Sequence, residues 1–283
     1  MTGLVTDSNA QVPRALADRF GVVVVPLTVT VDGAPFDEGA DLDADGFFAL
    51  FAPGRAPAVT TAAPGPGRFV EAYSRLAEAG ATEIVSVHIG SEVSATVGSA
   101  RLAAASAPVP VHVVDTGTAS FGVALCVWAA GEALAAGASA GEAADAAREA
   151  AAGVGNVFVV KALDLARAGG RLAPGTGDLA AALVPVMTMD GGVMRVVAEV
   201  PDGTGAADAM VAHVAGVGSG ARLRVGVGYG DPQMAALADE VSRRLRDLPT
   251  VAEVVGYRVG PSVGAHTGPG TVGVMFSPVA PAR

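Results

Sequence analysis

The sequence is poor in the residue types that announce the commonest chemistries. Among 283 residues there is one cysteine, Cys126, one tryptophan and one lysine, Lys161. A lone cysteine cannot close an internal disulfide, so a disulfide-stapled fold is excluded, and Cys126 sits in an apolar helical run where it reads as packing. Acidic residues number 28 against 18 basic ones, a net charge of −10. The basic residues are scattered, which argues against a nucleic-acid partner and against attraction to anionic lipid. No H-E-x-x-H, no Cys/His cluster and no paired glutamates occur, so neither a metal site nor a two-carboxylate mechanism is indicated, and no cofactor is expected. The apolar stretch Thr116 to Gly131 stops at Glu132, short of the roughly 20 residues that a membrane span requires, and no basic leader precedes the first strand. A cytoplasmic protein without stable membrane insertion is expected.

What the chain does have is apolar content, 51% of residues, arranged in alternating elements. Leu4-Val5-Thr6 reads as a buried strand ending in Asp7-Ser8-Asn9, which can cap a helix from Val12 to Phe20. Val22 to Leu27 is a second strand, and Thr28 to Phe36 a hairpin turning at Asp32-Gly33. Helices follow over Ala44 to Phe51, capped by Asp43, and from the Pro64-Gly65-Pro66-Gly67 breaker to Glu78. Strand then alternates with helix through Glu83 to His88, Ser94 to Ala105, Val111 to Val114 and Phe121 to Ala136, a pattern of parallel pairing with crossover helices. The spacing predicts two α/β domains. Residues 1–153 form a parallel-sheet domain, and residues 154–283 a mixed-sheet domain with a hairpin over Val184 to Val200.

In open parallel sheets ligands bind beyond the carboxyl ends of the strands. The residues there are Asp7-Ser8-Asn9, Thr60-Thr61, His88 with Ser91 and Ser94, and Asp115-Thr116 with Thr118 and Ser120. Each taken singly is more often a helix cap than a ligand contact. Together they make an edge suited to an oxygen-rich, anionic head group, helped by helix N-termini near Ser94 and Ser120. Near the far end, Gly264-Ala265-His266-Thr267-Gly268-Pro269-Gly270 reads as a tight loop that holds His266 out as a candidate site residue. Gly268, Gly270 and Gly273 fit G-x-G-x-x-G, but a strand follows instead of a helix, so a dinucleotide site is excluded.

With these pieces placed, the sequence resembles the DegV family of bacterial fatty-acid-binding proteins, which includes the binding subunit of fatty acid kinase. Thr6-Asp7-Ser8 is similar to the family's T-D-S, and Thr61 to Phe69 to its T-S-Q-P-S-P-G-E-F. Ser91 to Ala100 resembles S-x-L-S-G-T-Y-x-S-A, Val114 to Gly122 resembles V-x-D-S followed by S-x-G, and Ala168 to Leu172 resembles E-G-G-R-I. Gly264 to Gly270 matches G-A-H-T-G-P-G without change. The resemblance implies a two-domain DegV-like fold with a long-chain fatty acid buried between or beneath the layers. It implies that the carboxylate is held by Thr61 and Ser94, with His266 close by; Ser8, Ser120 and Arg171 are further candidate ligand-binding residues. A fatty acid kinase catalytic subunit is the implied partner, to which this chain presents the acid for acyl-phosphate formation.

The departures from the family pattern are specific. Ala62 and Ala63 replace the Ser-Gln pair, Ala95 replaces a glycine, and Glu199-Val200-Pro201-Asp202-Gly203 stands where many members carry a basic R-x-R-K run. A rival reading is a Ser/His acyl-ester hydrolase, with Ser94 or Ser120 as nucleophile, His266 as base and Asp7 or Asp115 as orienter. No G-x-S-x-G elbow supports it.

Overall fold

The computed structural model describes residues 1–51, 55–161, 163–168, 170, 172–173, 183–217 and 220–279. The chain divides into two compact units, Met1–Asp41 with Thr60–Gly153, and Leu42–Val59 with Val154–Arg283. The segment Leu42–Val59 therefore groups with the second unit.

The first unit begins with β1 (Thr2–Asp7), α1 (Arg14–Phe20), β2 (Val22–Val25), β3 (Thr28–Val31) and β4 (Ala34–Asp37). The segment that groups with the second unit brings α2 (Ala44–Ala49), after which the chain runs through β5 (Val59–Ala62), α3 (Pro66–Glu78), β6 (Glu83–His88), α4 (Thr96–Ala104), β7 (Val111–Asp115), α5 (Phe121–Ala135) and α6 (Ala140–Ala152). Four strands form a parallel sheet in the order β2-β1-β6-β7. Its central strands are buried almost throughout, as expected of a sheet covered on both faces. On one side Phe69, Ala72 and Tyr73 of α3 pack with Val5, Ile84 and Ala100. On the other lies α5, buried nearly all round.

β2 stops at Val25 because Pro26 has no N–H for the ladder. The β3–β4 turn places Asp32 at φ 48° and Gly33 at φ 86°, the pair of positive values that a type I′ hairpin needs. Asp43 caps α2 by accepting Gly46 N–H at 2.8 Å. Ser139 opens α6 with a capping box completed by Glu142. Two expectations change. Asp7 caps a 3-10 turn at Ser8–Ala10 rather than the first helix, which starts at Arg14 behind Pro13. Thr61 lies on β5 in a separate three-stranded sheet, β4-β3-β5, rather than at an end of the parallel sheet.

The second unit continues with β8 (Gly155–Val159), α7 (Leu163–Ala168), β9 (Val184–Asp190), β10 (Val193–Val200), α8 (Gly203–Ala215), β11 (Leu223–Tyr229), α9 (Ala235–Arg246), β12 (Val251–Arg258), α10 (Pro261–Thr267) and β13 (Val272–Pro278). Its six-stranded sheet, β10-β9-β8-β13-β11-β12, is mixed: β11 and β12 run parallel and the other pairings are antiparallel. Met210 and Val214 of α8, with Val241 and Leu245 of α9, pack against Val157, Val225 and Val274 of that sheet.

The tight loop expected at Gly264–Gly270 is instead the end of a helix. Pro261 occupies the first turn of α10, and Gly268 at φ 66° donates its N–H to Gly264 O at 2.7 Å. Gly264 is required by packing, because a Cβ there would stand 2.6 Å from the ring of Phe47 and 2.9 Å from that of Phe48 on α2. A glycine-rich sequence hides a helix when its glycines are needed for close approach.

Candidate functional site

The carboxyl ends of β1, β6 and β7 are tied together by side chains acting on backbone. Thr116 gives both its N–H and its hydroxyl to His88 O, at 3.2 and 2.8 Å. Gly90 N donates to Thr118 O at 2.8 Å, an approach so close that a Cβ on Gly90 would lie 2.7 Å from the Gly117 carbonyl carbon. Asp115 accepts the amides of Ser91 and Gly117 at 3.0 and 3.2 Å. Partial burial pushes the Asp115 carboxyl up, but the hydrogen bonds from Ser91 and Gly117, with the charge of Arg101, outweigh it and hold its pKa below the usual value.

The expected site residues fall in different places on this frame. Ser94 sits ahead of α4, with its hydroxyl 2.8 Å from that of Thr96 and accepting Thr96 N–H at 3.3 Å. The helix N-cap is Ala95, so the side chain is half-buried beside the first turn. Ser8 donates to Glu38 Oε2 at 2.5 Å and accepts Leu27 N–H at 2.9 Å. Ser120 takes a backbone conformation rare for any residue but glycine, φ 56° and ψ −146°, and gives no side-chain cap. Its N–H goes to Asn9 Oδ1 at 2.8 Å and its hydroxyl to Gln11 Oε1 at 3.0 Å. Thr61 is half-buried on β5, and His266 is half-buried in the last turn of α10 in the second unit. Arg171 lies outside the described residues.

One constellation was not anticipated. Asp7 Oδ2 lies 3.0 Å from His88 Nδ1, His88 Nε2 lies 2.6 Å from Ser86 Oγ, and Ser86 Oγ lies 2.9 Å from Tyr73 OH. The signal was available in part, since Ser86 and His88 alternate on one face of β6. That Asp7 stands beside them depends on the β1–β6 pairing, which no local pattern specifies. The connectivity is that of a serine-hydrolase triad. Yet all four side chains are fully buried, and the serine hydroxyl is covered by Tyr73, so no substrate reaches it. Burial pushes the Tyr73 phenol up to about 12, against a smaller opposing effect of the Ser86 hydrogen bond. Burial likewise pushes the Cys126 thiol up to about 12, which leaves it a packed, unreactive group.

Among the described residues no group of three His, Cys, Asp or Glu side chains is placed to hold a metal ion, and no helix is long and apolar enough to cross a membrane.

Comparison with known proteins decides the family. Residues 1–279 match the family model described as "Uncharacterised protein, DegV family". The chain belongs to the DegV family. A DegV domain-containing protein of Streptomyces coelicolor is 38% identical over 279 residues, covering 97% of each chain. Another, from Mycobacterium tuberculosis, is 32% identical over 276 residues, covering 96% of this chain and 95% of that one. Among solved structures, a DegV family protein from Thermus thermophilus, reported for its fatty-acid binding, superposes with a TM-score of 0.86 at 32% identity, covering 98% of this chain and 99% of that one. DegV from Bacillus subtilis shares the fold, with a TM-score of 0.85 at 22% identity over 98% and 99% of the two chains. The two-domain α/β architecture, whose two larger sheets are one parallel and one mixed, is thus shared with these solved DegV structures.

Proposed function

We propose that this DegV protein binds a long-chain fatty acid, with the carboxylate at the hydroxyl-bearing edge of the first unit, and serves as a binding subunit rather than as an enzyme by itself. The observation that carries the reading is the fatty-acid binding reported for the Thermus thermophilus relative, which matches this chain over nearly its whole length at 32% identity. Thr61 and Ser94 are the proposed carboxylate contacts, Ser8 and Ser120 support that edge, and His266 and Arg171 are further candidate ligand-binding residues. No cofactor is assigned to the site. Burying a methylene is worth about 0.8 kcal/mol, so a tail of some fourteen supplies on the order of 10 kcal/mol before ordering costs.

The finer proposal is that the bound acid is presented to a fatty acid kinase catalytic subunit for acyl-phosphate formation in the cytoplasm. In this chain the segment Glu199 to Gly203, where many relatives are basic, ends β10 and starts α8, and Asp202 caps that helix by accepting Gly205 N–H at 2.9 Å. Any docking at this place therefore meets acidic rather than basic groups. The hydrolase reading is not favoured: Ser94 pairs with Thr96, Ser120 donates to Gln11, and the histidine partnered by Asp7 is the buried His88. Titration of the purified protein with a fluorescent long-chain fatty acid tests binding. Incubation with palmitate, ATP and a fatty acid kinase catalytic subunit tests presentation, and absence of acyl phosphate there would confine the function to binding.

A further inference from the structure

Every proton in the Tyr73–Ser86–His88–Asp7 chain can be assigned by counting donors and acceptors. The Tyr73 hydroxyl has Ser86 Oγ as its sole partner among the described residues. If Ser86 donated to Tyr73, the phenolic proton would be buried without an acceptor, so Tyr73 must donate to Ser86. Ser86 then gives its own proton to His88 Nε2, which must be an acceptor, and the ring proton sits on Nδ1 facing Asp7 Oδ2. Asp7 closes the chain as an acceptor only, since its oxygens also take Asn9 N–H at 3.1 Å and Ile89 N–H at 3.0 Å. A single direction satisfies all four groups, and it fixes one neutral tautomer of the imidazole.

The position of this ring in the sheet gives the chain a further role. His88 is the last residue of β6. Its Nδ1–H and the next backbone N–H, of Ile89, converge on the same oxygen of Asp7, so ring and backbone are held by one carboxylate from the neighbouring strand. Its carbonyl holds Thr116 of the third strand end, and its ring meets Phe69 of α3 edge-on, with centroids 5.0 Å apart. The turn that follows carries Gly90, whose carbonyl accepts the amides of Val93 and Ser94 at 3.0 and 3.1 Å. From Tyr73 to Ser94 the connections are continuous.

We infer that His88 is a positioning residue for the head-group edge: its Nδ1–H, oriented by Ser86 and Tyr73, holds Asp7 and thereby the turn on which Ser94 stands. The inference rests on the fatty-acid reading for its ligand, and its geometry stands apart from it. Asparagine can present a side-chain N–H near the place of Nδ1–H, whereas leucine fills the space with no donor. A residue that merely packs the core is better replaced by leucine, because a buried amide needs partners that a methyl group does not. A residue that positions through a hydrogen bond is better replaced by asparagine.

The experiment combines two readouts on the full chain. In histidine labelled with nitrogen-15, the His88 ring at neutral pH is expected to show a protonated Nδ1 and an unprotonated Nε2. A resonance pattern of the opposite tautomer, or of the doubly protonated ring, would overturn the inference. With palmitate as ligand, His88→Asn is expected to stay within about threefold of wild-type affinity and His88→Leu to lose about tenfold or more, the loss expected when Ser94 is displaced and its hydrogen bond to the charged carboxylate is lost. Thermal melts accompany both variants. Leucine binding as well as asparagine, or better, would overturn the positioning role alone. A wild-type protein that does not bind palmitate would overturn the fatty-acid reading instead.

Discussion

The hydroxyl of Ser8 donates to the buried carboxylate of Glu38 at 2.5 Å while accepting the amide of Leu27 at 2.9 Å, and so bridges the turn after β1 to the chain on either side of the β3–β4 hairpin. Its one proton is committed inside the protein. In this arrangement Ser8 supports the edge and does not donate to a carboxylate ligand. Ser8→Ala would leave the Leu27 amide without this acceptor and Glu38 with one donor fewer. We expect a loss of about 1–3 kcal/mol in denaturant-derived stability, with fatty-acid affinity close to wild type. The reverse pattern, unchanged stability with weakened binding, would return Ser8 to the head group.

Tyr73 makes stability depend on alkaline pH. Its phenol is raised from 10.0 to about 12 in the folded protein, so the neutral form is the one the fold favours. Its contribution is fully present below pH 10 and is lost as pH rises from 10 towards 12, amounting to on the order of 2–3 kcal/mol across that window. Tyr73→Phe removes this dependence. The stability difference between wild type and variant should therefore shrink as pH rises from 8 to 11 in parallel chemical denaturation curves. A difference constant with pH would mean that Tyr73 ionises as easily in the fold as outside it.

The glycine at 264 serves packing rather than loop flexibility. Gly264→Ala forces a methyl group into the rings of Phe47 and Phe48, and overpacking of this kind costs about 1–3 kcal/mol. We expect the variant to fold with a lowered denaturation midpoint. Stability equal to wild type would show that α10 and α2 can separate freely.

Much of this was legible in the sequence, and the parts that were not share a cause. The Asp32-Gly33 hairpin and the Asp43 cap are decided by neighbours within four residues, so local chemistry specifies them. The α10 helix was hidden because Gly264 and Gly268 read as loop formers until the rings packed on the first and the helix-closing role of the second are known. The sheet to which β5 belongs, and the meeting of Asp7 with His88, depend on strand pairings between distant segments, for which side-chain period gives no address. Ser94 and Ser120 were correctly placed beside helix starts after strands, yet neither provides the side-chain cap that their type suggests. Family motifs, more than propensity, brought Thr61 and His266 into the proposed site.

Thr61 and Ser94 should account for most of the polar part of fatty-acid affinity. A hydrogen bond to a charged acceptor contributes roughly 1.5–3 kcal/mol, so Thr61→Val or Ser94→Ala should weaken binding by about ten- to a hundredfold with melting unchanged. His266→Ala should affect affinity less and acyl-phosphate formation with a kinase more. Wild-type affinity in both hydroxyl variants would place the head group elsewhere. A serine-directed phosphonate should label neither Ser94 nor Ser120, and stoichiometric labelling at either would favour a hydrolase.

The most direct test of fatty-acid binding is native mass spectrometry of the protein as purified, followed by lipid extraction. Fatty-acid binding predicts a mass increment of one long-chain fatty acid per chain, released on denaturation and identified in the extract. A protein that carries no lipid and does not take up added palmitate or oleate would contradict it.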